Sequence, residues 1–169
     1  MSQGAEAKEN KMSRNESDNL SLVLLDKPQS ETLPHVTQIL SISATREDHQ
    51  VLRRMLHDFR ITAVGTRQAA MSFLCLDRVP VIVCERDLPD GTWKDILGDT
   101  AAFPNPPVLV VTSSFADEYL WAEVLNLGGY DLLAKPFSDP EVKRVLAAAL
   151  RQNTTQTQKT LVAGAAGFA

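Results

Sequence analysis

The sequence predicts an α/β domain in which five strands alternate with five helices, a doubly wound (βα)5 arrangement around a parallel sheet. Between residues 36 and 151, short β-prone apolar runs alternate with stretches whose apolar residues recur at helical spacing. The strand-like runs are apolar at nearly every position, which is typical of strands that helices cover on both faces. The chain has 169 residues, of which 44% are hydrophobic, so one domain with a sizeable core is expected.

The first half of the domain contains three predicted strands and two helices. The strands cover residues 36–42, 61–64 and 81–84. Thr66 can cap the second helix, which we expect to end near Asp77. The first helix follows a polar start, and its face is made by apolar residues at helical spacing, namely Val51, Leu52, Met55, Leu56 and Phe59.

The second half continues the alternation. A proline-rich segment, 103–107, separates the third helix from the most apolar strand, and the pair Gly128-Gly129 suits the carboxyl end of the fourth helix. The predicted elements are a helix from about residue 92 to 102, a strand over 108–111, a helix over 117–127, a strand over 131–134 and a helix over 140–151.

Composition predicts a polar tail on each side of this domain. Residues 1–35 are rich in Ser, Glu, Asn and Lys, and we expect a disordered N-terminal arm. The apolar patch Leu20–Leu25 in that arm has two interpretations, a docking segment or an incidental cluster. Residues 152–169 are rich in Gln, Thr, Gly and Ala, and we expect a flexible C-terminal tail.

Charge and hydropathy exclude several classes of function. A formal net charge of -4 gives no basic surface for nucleic acid. The patch Leu20–Leu25 is far shorter than the roughly 20 residues of a membrane span, and no export signal precedes it. Cys75 and Cys84 form no CxxC pair and lie in apolar runs, so we expect buried free thiols. A cytoplasmic protein without membrane or nucleic-acid partners is predicted.

The candidate site lies at the carboxyl ends of the strands, where open parallel sheets bind ligands. The residues at these ends are Ser43 and Ala44 after the first strand, Glu85 after the third, Thr112 after the fourth and Lys135 after the fifth. Carboxyl ends of parallel strands share one edge, so we expect these side chains to lie close together.

Three segments in register with this pattern resemble the receiver domain of bacterial response regulators. They are the strand and helix over 39–56, the segment Glu85–Gly91, and the segment Leu127–Phe137 with its Lys-Pro-Phe sequence. The resemblance covers residues 36–151. It implies a flavodoxin-like receiver fold and a role in two-component or phosphorelay signalling.

The resemblance also assigns roles to the strand-end residues. Receivers carry an acidic pair after the first strand and a phosphoacceptor aspartate after the third, which together hold Mg²⁺. Here Ser43-Ala44 replace the pair and Glu85 replaces the aspartate, so we expect magnesium binding and phosphoryl transfer to be lost. Arg86 joins the predicted pocket, Thr112 and Lys135 match the conserved roles, and Leu132 stands at the position of the aromatic switch.

Several of these residues have two interpretations. Lys135 either pairs with Glu85 or points into solvent with it. Thr112 is either the switch hydroxyl or the N-cap of the fourth helix. Asp87 is either a substitute phosphoacceptor or an ordinary turn residue. We expect His49 and His57 to lie on the solvated face of the first helix rather than to serve as phosphohistidines or metal ligands.

These observations predict a non-enzymatic pseudo-receiver that acts through protein contacts and uses no cofactor. Its partner would be a histidine kinase or another signalling protein, or a second copy bound through the fourth helix, fifth strand and fifth helix. Phe115, Tyr119 and Trp121 make that face suitable. One alternative is a relay receiver phosphorylated at Asp87 or Glu85. A second, a cofactor binder, lacks a glycine-rich phosphate cradle.

Overall fold

Helices and strands alternate along the chain in the predicted order. The computed structural model describes the backbone of residues 36–165 and the side chains of residues 36–160. In chain order the elements are β1 (Gln38–Ile42), α1 (Arg46–Met55), β2 (Arg60–Val64), α2 (Arg67–Leu74), β3 (Val81–Glu85), β4 (Asp87–Leu88), β5 (Gly91–Thr92), α3 (Trp93–Ala101), β6 (Val108–Ser113), α4 (Glu118–Leu127), β7 (Asp131–Ala134) and α5 (Asp139–Ala165).

Five of the strands form one parallel sheet in the order β2-β1-β3-β6-β7. The chain moves from β1 to one side and then returns to continue on the other, so the predicted doubly wound (βα)5 fold is confirmed. The strand order reverses between β1 and β3, where such sheets place their ligand sites. The two-residue strands β4 and β5 form a small antiparallel hairpin that the sequence analysis did not predict.

The alternation of side chains along the strands divides the core into two layers. Leu40 and Ile42 of β1 pack with α2, α3 and α4 on one face of the sheet. Ile39 of β1, like Val81 and Val83 of β3, packs with α1 and α5 on the other face. Continuing this alternation past the strand ends places residues 43 and 85 on the α1 side of the sheet.

Side chains and a glycine define the ends of the helices. Thr66 caps α2 by accepting the Ala69 amide at 3.1 Å, as predicted. Asp117 caps α4 by accepting the Leu120 amide at 2.8 Å, so the interpretation of Thr112 as that cap is wrong. Gly128 ends α4 with a φ of 103°, the left-handed conformation that glycine adopts without steric cost.

The last helix is longer than predicted. We expected α5 to end at Arg151 and a flexible tail to follow, but the helix continues to Ala165. The hydroxyls of Thr154 and Thr155 donate to the carbonyls of Leu150 and Arg151, four residues earlier. Both hydroxyls are therefore bonded within the helix, an arrangement that helices accommodate at a slight cost in stability.

The cysteine prediction holds for one of the two thiols. Cys84 is buried, and burial raises the pKa of its thiol, whereas Cys75 is exposed at the end of α2. Within residues 36–165, no helix has the length and apolar character needed to cross a bilayer. The predicted arm over 1–35, with its patch Leu20–Leu25, lies outside the described residues.

Two glycine substitutions should change stability in opposite directions. Gly98 is exposed within α3 and a Cβ there meets nothing within 4 Å, so Gly98→Ala should raise the free energy of unfolding by about 0.5–1 kcal/mol. Gly128→Ala places a side chain in the left-handed conformation and should lower it by about 1–2 kcal/mol. Urea denaturation measures both. An unchanged Gly128→Ala protein would contradict the described end of α4.

Candidate functional site

The strand ends bring three predicted residues together. Glu85 ends β3, Ser43 follows β1 and Lys135 follows β7. The amide of Lys135 donates to the carbonyl of Ser113 at 2.9 Å, which holds the residue after β7 against the end of β6. The side chains of Ser43, Glu85 and Lys135 then meet on the α1 side of the sheet, as the alternation along the strands requires.

Four side chains form a closed ring of hydrogen bonds, which we call the carboxylate–lysine ring. Lys135 Nζ donates to Glu85 Oε1 at 2.7 Å and to Asp48 Oδ2 at 2.5 Å. Ser43 Oγ closes the ring, since it lies 2.7 Å from both Asp48 Oδ2 and Glu85 Oε2. The pairing of Lys135 with Glu85, one of the two interpretations of these residues, is therefore present in the structure.

The ring is largely shielded from water. The side chains of Lys135, Asp48 and Glu85 are only 11%, 12% and 22% exposed. A charge in such a position is costly unless it is paired, and here one ammonium serves two carboxylates. The Ser43 hydroxyl has one proton for two acceptors, and its oxygen accepts the Thr45 amide at 3.0 Å. With both carboxylates ionised, the ring carries one net negative charge.

Asp48 is a pocket residue that was not predicted from the sequence. We expected Glu85 to be the only carboxylate in the pocket, because neither Ser43 nor Ala44 has one, and that expectation is wrong. Asp48 is buried in the first turn of α1, one turn before the buried Leu52. Residues four apart share a helix face, so the spacing from Asp48 to Leu52 was the available signal.

His49 is also buried, although we expected a solvated side chain. Its Nε2 lies 3.0 Å from the carbonyl of Ser43 and its Nδ1 lies 2.8 Å from Ser41 Oγ. A carbonyl only accepts, so Nε2 carries the proton and Nδ1 accepts from the serine, which the neutral ring satisfies. Burial lowers the pKa of His49, and Arg53 lowers it further. The histidine thus fastens α1 to β1 beside Asp48. His57 is exposed, as predicted.

Two other predicted pocket residues point elsewhere. Arg86 Nε donates to Asp87 Oδ2 at 2.7 Å in an exposed pair, and Ala44 is exposed after β1. Asp90, in the turn between β4 and β5, accepts the amides of Gln68 and Arg67 at 2.9 and 2.7 Å. These two bonds hold the pKa of Asp90 below its ordinary value and tie the turn to the start of α2.

Thr112 and Leu132 lie on opposite faces of the sheet. Thr112 is buried in β6 directly beside Glu85 in the strand register, and its carbonyl accepts the Arg86 amide at 2.9 Å. Leu132 is buried in the layer that contains α2, α3 and α4. The residue at the predicted switch position therefore packs in the core on the side away from the ring.

The carboxylates that could hold a magnesium ion already contact a lysine ammonium. The oxygens of Asp48, Glu85 and Ser43 are of the type that Mg²⁺ prefers. However, Lys135 Nζ already contacts both carboxylates. An ion held by these two carboxylates would lie against the ammonium or have to displace it, with strong repulsion between the two cations.

Comparisons with known proteins agree with this architecture. No family model matches the chain. It is 28% identical over 124 residues to the regulatory protein VirG of Agrobacterium fabrum, an alignment that covers 73% of this chain and 48% of VirG. It is 33% identical over 118 residues to the probable transcriptional regulatory protein TcrX of Mycobacterium tuberculosis, covering 66% of this chain and 50% of TcrX. The chain spans about half the length of the curated relatives it matches.

Solved structures give the same result for the fold. The signal receiver domain of an HD domain-containing protein from Pseudomonas fluorescens superposes with a TM-score of 0.67 at 20% identity, covering 77% of this chain and 98% of that domain. The described residues therefore have the receiver fold, and the sequence is similar to response regulators.

Removal of the lysine should destabilise the domain more than removal of either acid. In Lys135→Met, two shielded carboxylates lose their counter-charge, and we expect the free energy of unfolding to fall by about 3–5 kcal/mol. Asp48→Asn leaves one lysine paired with one glutamate, and we expect a loss of about 1 kcal/mol or less. Urea denaturation compares the two variants.

The matched control for this prediction is Lys143→Met, because Lys143 pairs with Asp139 on the exposed face of α5. We expect that change to alter stability by no more than about 0.5 kcal/mol. Equal losses in the two lysine variants would show that the ring contributes no more than a surface ion pair.

His49 should make stability depend on pH below neutrality. Its folded pKa lies below the value of about 6.5 in the unfolded chain. Between these two pKa values the unfolded chain binds more protons than the folded chain does. The contribution of His49 to the free energy of unfolding is therefore complete above about pH 6.5 and is lost as the pH falls. We expect wild type to lose more stability than His49→Gln between about pH 7 and pH 5. His57→Gln should keep the wild-type slope, and an unchanged slope in His49→Gln would refute the prediction.

Proposed function

We propose that this chain, a receiver-fold protein similar to response regulators, is a pseudo-receiver: a non-enzymatic signalling module of the two-component type. The observation that carries the proposal is the position of Lys135 Nζ, within 2.7 Å of both Glu85 and Asp48. The lysine acts as a fixed counter-cation in the pocket. Neither phosphoryl transfer nor a bound Mg²⁺ is then needed to define the state of the site.

The geometry of Glu85 disfavours phosphoryl transfer. Glu85 Oε1 accepts from Lys135, and Oε2 lies 2.7 Å from the Ser43 hydroxyl, whose single proton it shares with Asp48 Oδ2. In-line attack needs a free carboxylate oxygen at the right distance and a cation that neutralises the phosphoryl oxygens. A phosphodonor approaching this site meets a ring that already carries a net negative charge.

The ring supports one fixed conformation of the strand ends. It joins the residues that follow β1 and β7 to the last residue of β3 and to α1, so the ends of four elements are held by one set of contacts. Its net charge of one unit is smaller than the -1.5 to -2 that a phosphate group adds. We propose that the ring replaces the switch and that Glu85 serves as an electrostatic anchor.

The output of such a module is contact with another protein. Phe115, Tyr119 and Trp121 lie at or near α4 and are 80%, 87% and 49% exposed, and exposed aromatics are enriched at binding hot spots. We propose a histidine kinase or another signalling protein of the cytoplasm as the partner. The alternative partner is a second copy of the chain, bound through α4, β7 and α5. The net charge of -4 favours protein over nucleic acid as the ligand.

A second candidate function is a relay receiver with an unusual acceptor. Asp87 favours it, because its side chain is 65% exposed and its ion-pair partner Arg86 is itself 41% exposed. Phosphorylation there would leave the ring undisturbed. Glu85 is the other candidate acceptor, although its oxygens are engaged.

Incubation with acetyl phosphate and Mg²⁺, followed by intact-protein mass spectrometry, tests the proposal. We expect wild type to gain no phosphoryl group, while a receiver domain that carries the aspartate gains one under the same conditions. Asp87→Asn serves as the matched variant. A gain in wild type that Asp87→Asn abolishes would establish the relay candidate, and a gain that persists in Asp87→Asn and maps to Glu85 would refute the fixed ring.

A further inference from the structure

The charges of the described domain are separated between the two sides of the sheet. Helices α1 and α5 cover one face, which we call the α1 side, and α2, α3 and α4 cover the other, the α4 side. Outside the carboxylate–lysine ring, residues 46–60 and 139–160 on the α1 side carry eight Lys and Arg against four Asp and Glu. Residues 66–78 and 86–127 on the α4 side carry eight Asp and Glu against four Lys and Arg. The two sides therefore have formal charge surpluses of opposite sign.

The α1 side is rich in exposed arginine. Six of its eight basic residues are arginines, namely Arg46, Arg53, Arg54, Arg60, Arg144 and Arg151, and all six are exposed. Within the part of the chain that the structure describes, none of the six forms an ion pair. A planar guanidinium binds a carboxylate through two parallel hydrogen bonds and also stacks on aromatic rings. The α1 side therefore suits a surface that offers carboxylates beside aromatic rings.

The start of α4 offers that combination on the opposite side of the sheet. Phe115 and Tyr119 are largely exposed, and Glu118 lies between them in sequence. Glu118 is itself exposed and forms no ion pair with any described residue. Tyr and Arg are among the residue types most enriched at binding hot spots. The same chain thus carries both halves of a complementary surface.

The two surfaces can meet only between copies. The sheet separates them within one molecule, whereas the α4 side of one copy can face the α1 side of another. Opposite potentials attract and steer such an encounter. A contact between two α4 sides would instead bring like charges together, which is unfavourable.

We propose that copies of the chain associate head to tail, with the α4 side of one copy against the α1 side of the next. The contact is heterologous, so each end of the assembly keeps a free surface, and the assembly grows with concentration unless it closes into a ring. The inference needs only the fold and the charges and goes beyond the proposed function. Since the contact covers the aromatics near α4, a bound copy would block a partner protein from that surface.

Sedimentation equilibrium of the full chain at two salt concentrations tests this contact. At about 0.02 M salt, we expect the average mass of wild type to rise with protein concentration up to about 1 mM. Salt screens charges on exposed surfaces, so the association constant should fall at least about tenfold at about 0.5 M salt.

Two variants each alter one of the surfaces. Arg53→Glu changes the last turn of α1 and Tyr119→Glu the first turn of α4, and each should weaken association at least about tenfold. Arg78→Glu and Leu76→Glu are the matched controls, because they make the same kind of change at exposed positions after α2. Leu76 is 88% exposed and Tyr119 is 87% exposed. Both controls should associate as wild type does.

An equimolar mixture of Arg53→Glu and Tyr119→Glu distinguishes a head-to-tail contact from a symmetric one. The first variant keeps its α4 side and the second keeps its α1 side, so we expect a complex with one copy of each. The two altered surfaces both gain a glutamate and repel each other, which stops growth at that size. In a symmetric pair through α4, β7 and α5, where α1 takes no part, Arg53→Glu would associate as wild type does.

Four results would overturn the proposal. They are a wild-type monomer at every concentration in low salt, equal association of Arg53→Glu and Arg78→Glu, wild-type association by Arg53→Glu, and a mixture that remains monomeric. All four substituted residues are exposed, so the variants keep the packed core. None of these results changes the outcome of the acetyl phosphate experiment, which tests the proposed function separately.

Discussion

The interaction on which the site depends is the contact of one lysine ammonium with two carboxylates. Lys135 comes after β7, Glu85 ends β3 and Asp48 lies in the first turn of α1. Residues far apart in the sequence therefore compensate one another's charges at one place in the fold. Each of the three would be costly in a shielded position without the others. The ring therefore couples the end of the sheet to the first helix in a way that apolar packing alone does not.

The surroundings of the ring are consistent with that requirement. His49 bonds to both Ser41 and the carbonyl of Ser43, which holds α1 at the distance from β1 that Asp48 needs. Among the described residues, 36–160 for side chains, no buried polar side-chain atom lacks a hydrogen-bond partner. A polar network is stabilising only when it is satisfied in this way, since a single unpaired group would cost more than its bonds contribute.

The sequence predicted the parts of this arrangement that follow from periodicity. Continuous apolar runs identified buried parallel strands, and the shared edge of those strands brought Ser43, Glu85 and Lys135 together. It did not reveal Asp48 and His49, because polar residues at the start of a helix were assumed to face water, although their spacing to Leu52 placed them on the buried face. The extended α5 was missed for a related reason: threonines that bond within a helix look like linker residues in composition alone.

A counter-ion that belongs to the chain differs from one drawn from solution. Lys135 is tethered to the fold, so its effective concentration beside the two carboxylates is fixed by geometry and not by the metal content of the cell. Under the proposed function, the pocket is complete as soon as the domain has folded. Its charges would then be balanced without any metal or phosphodonor from the cell.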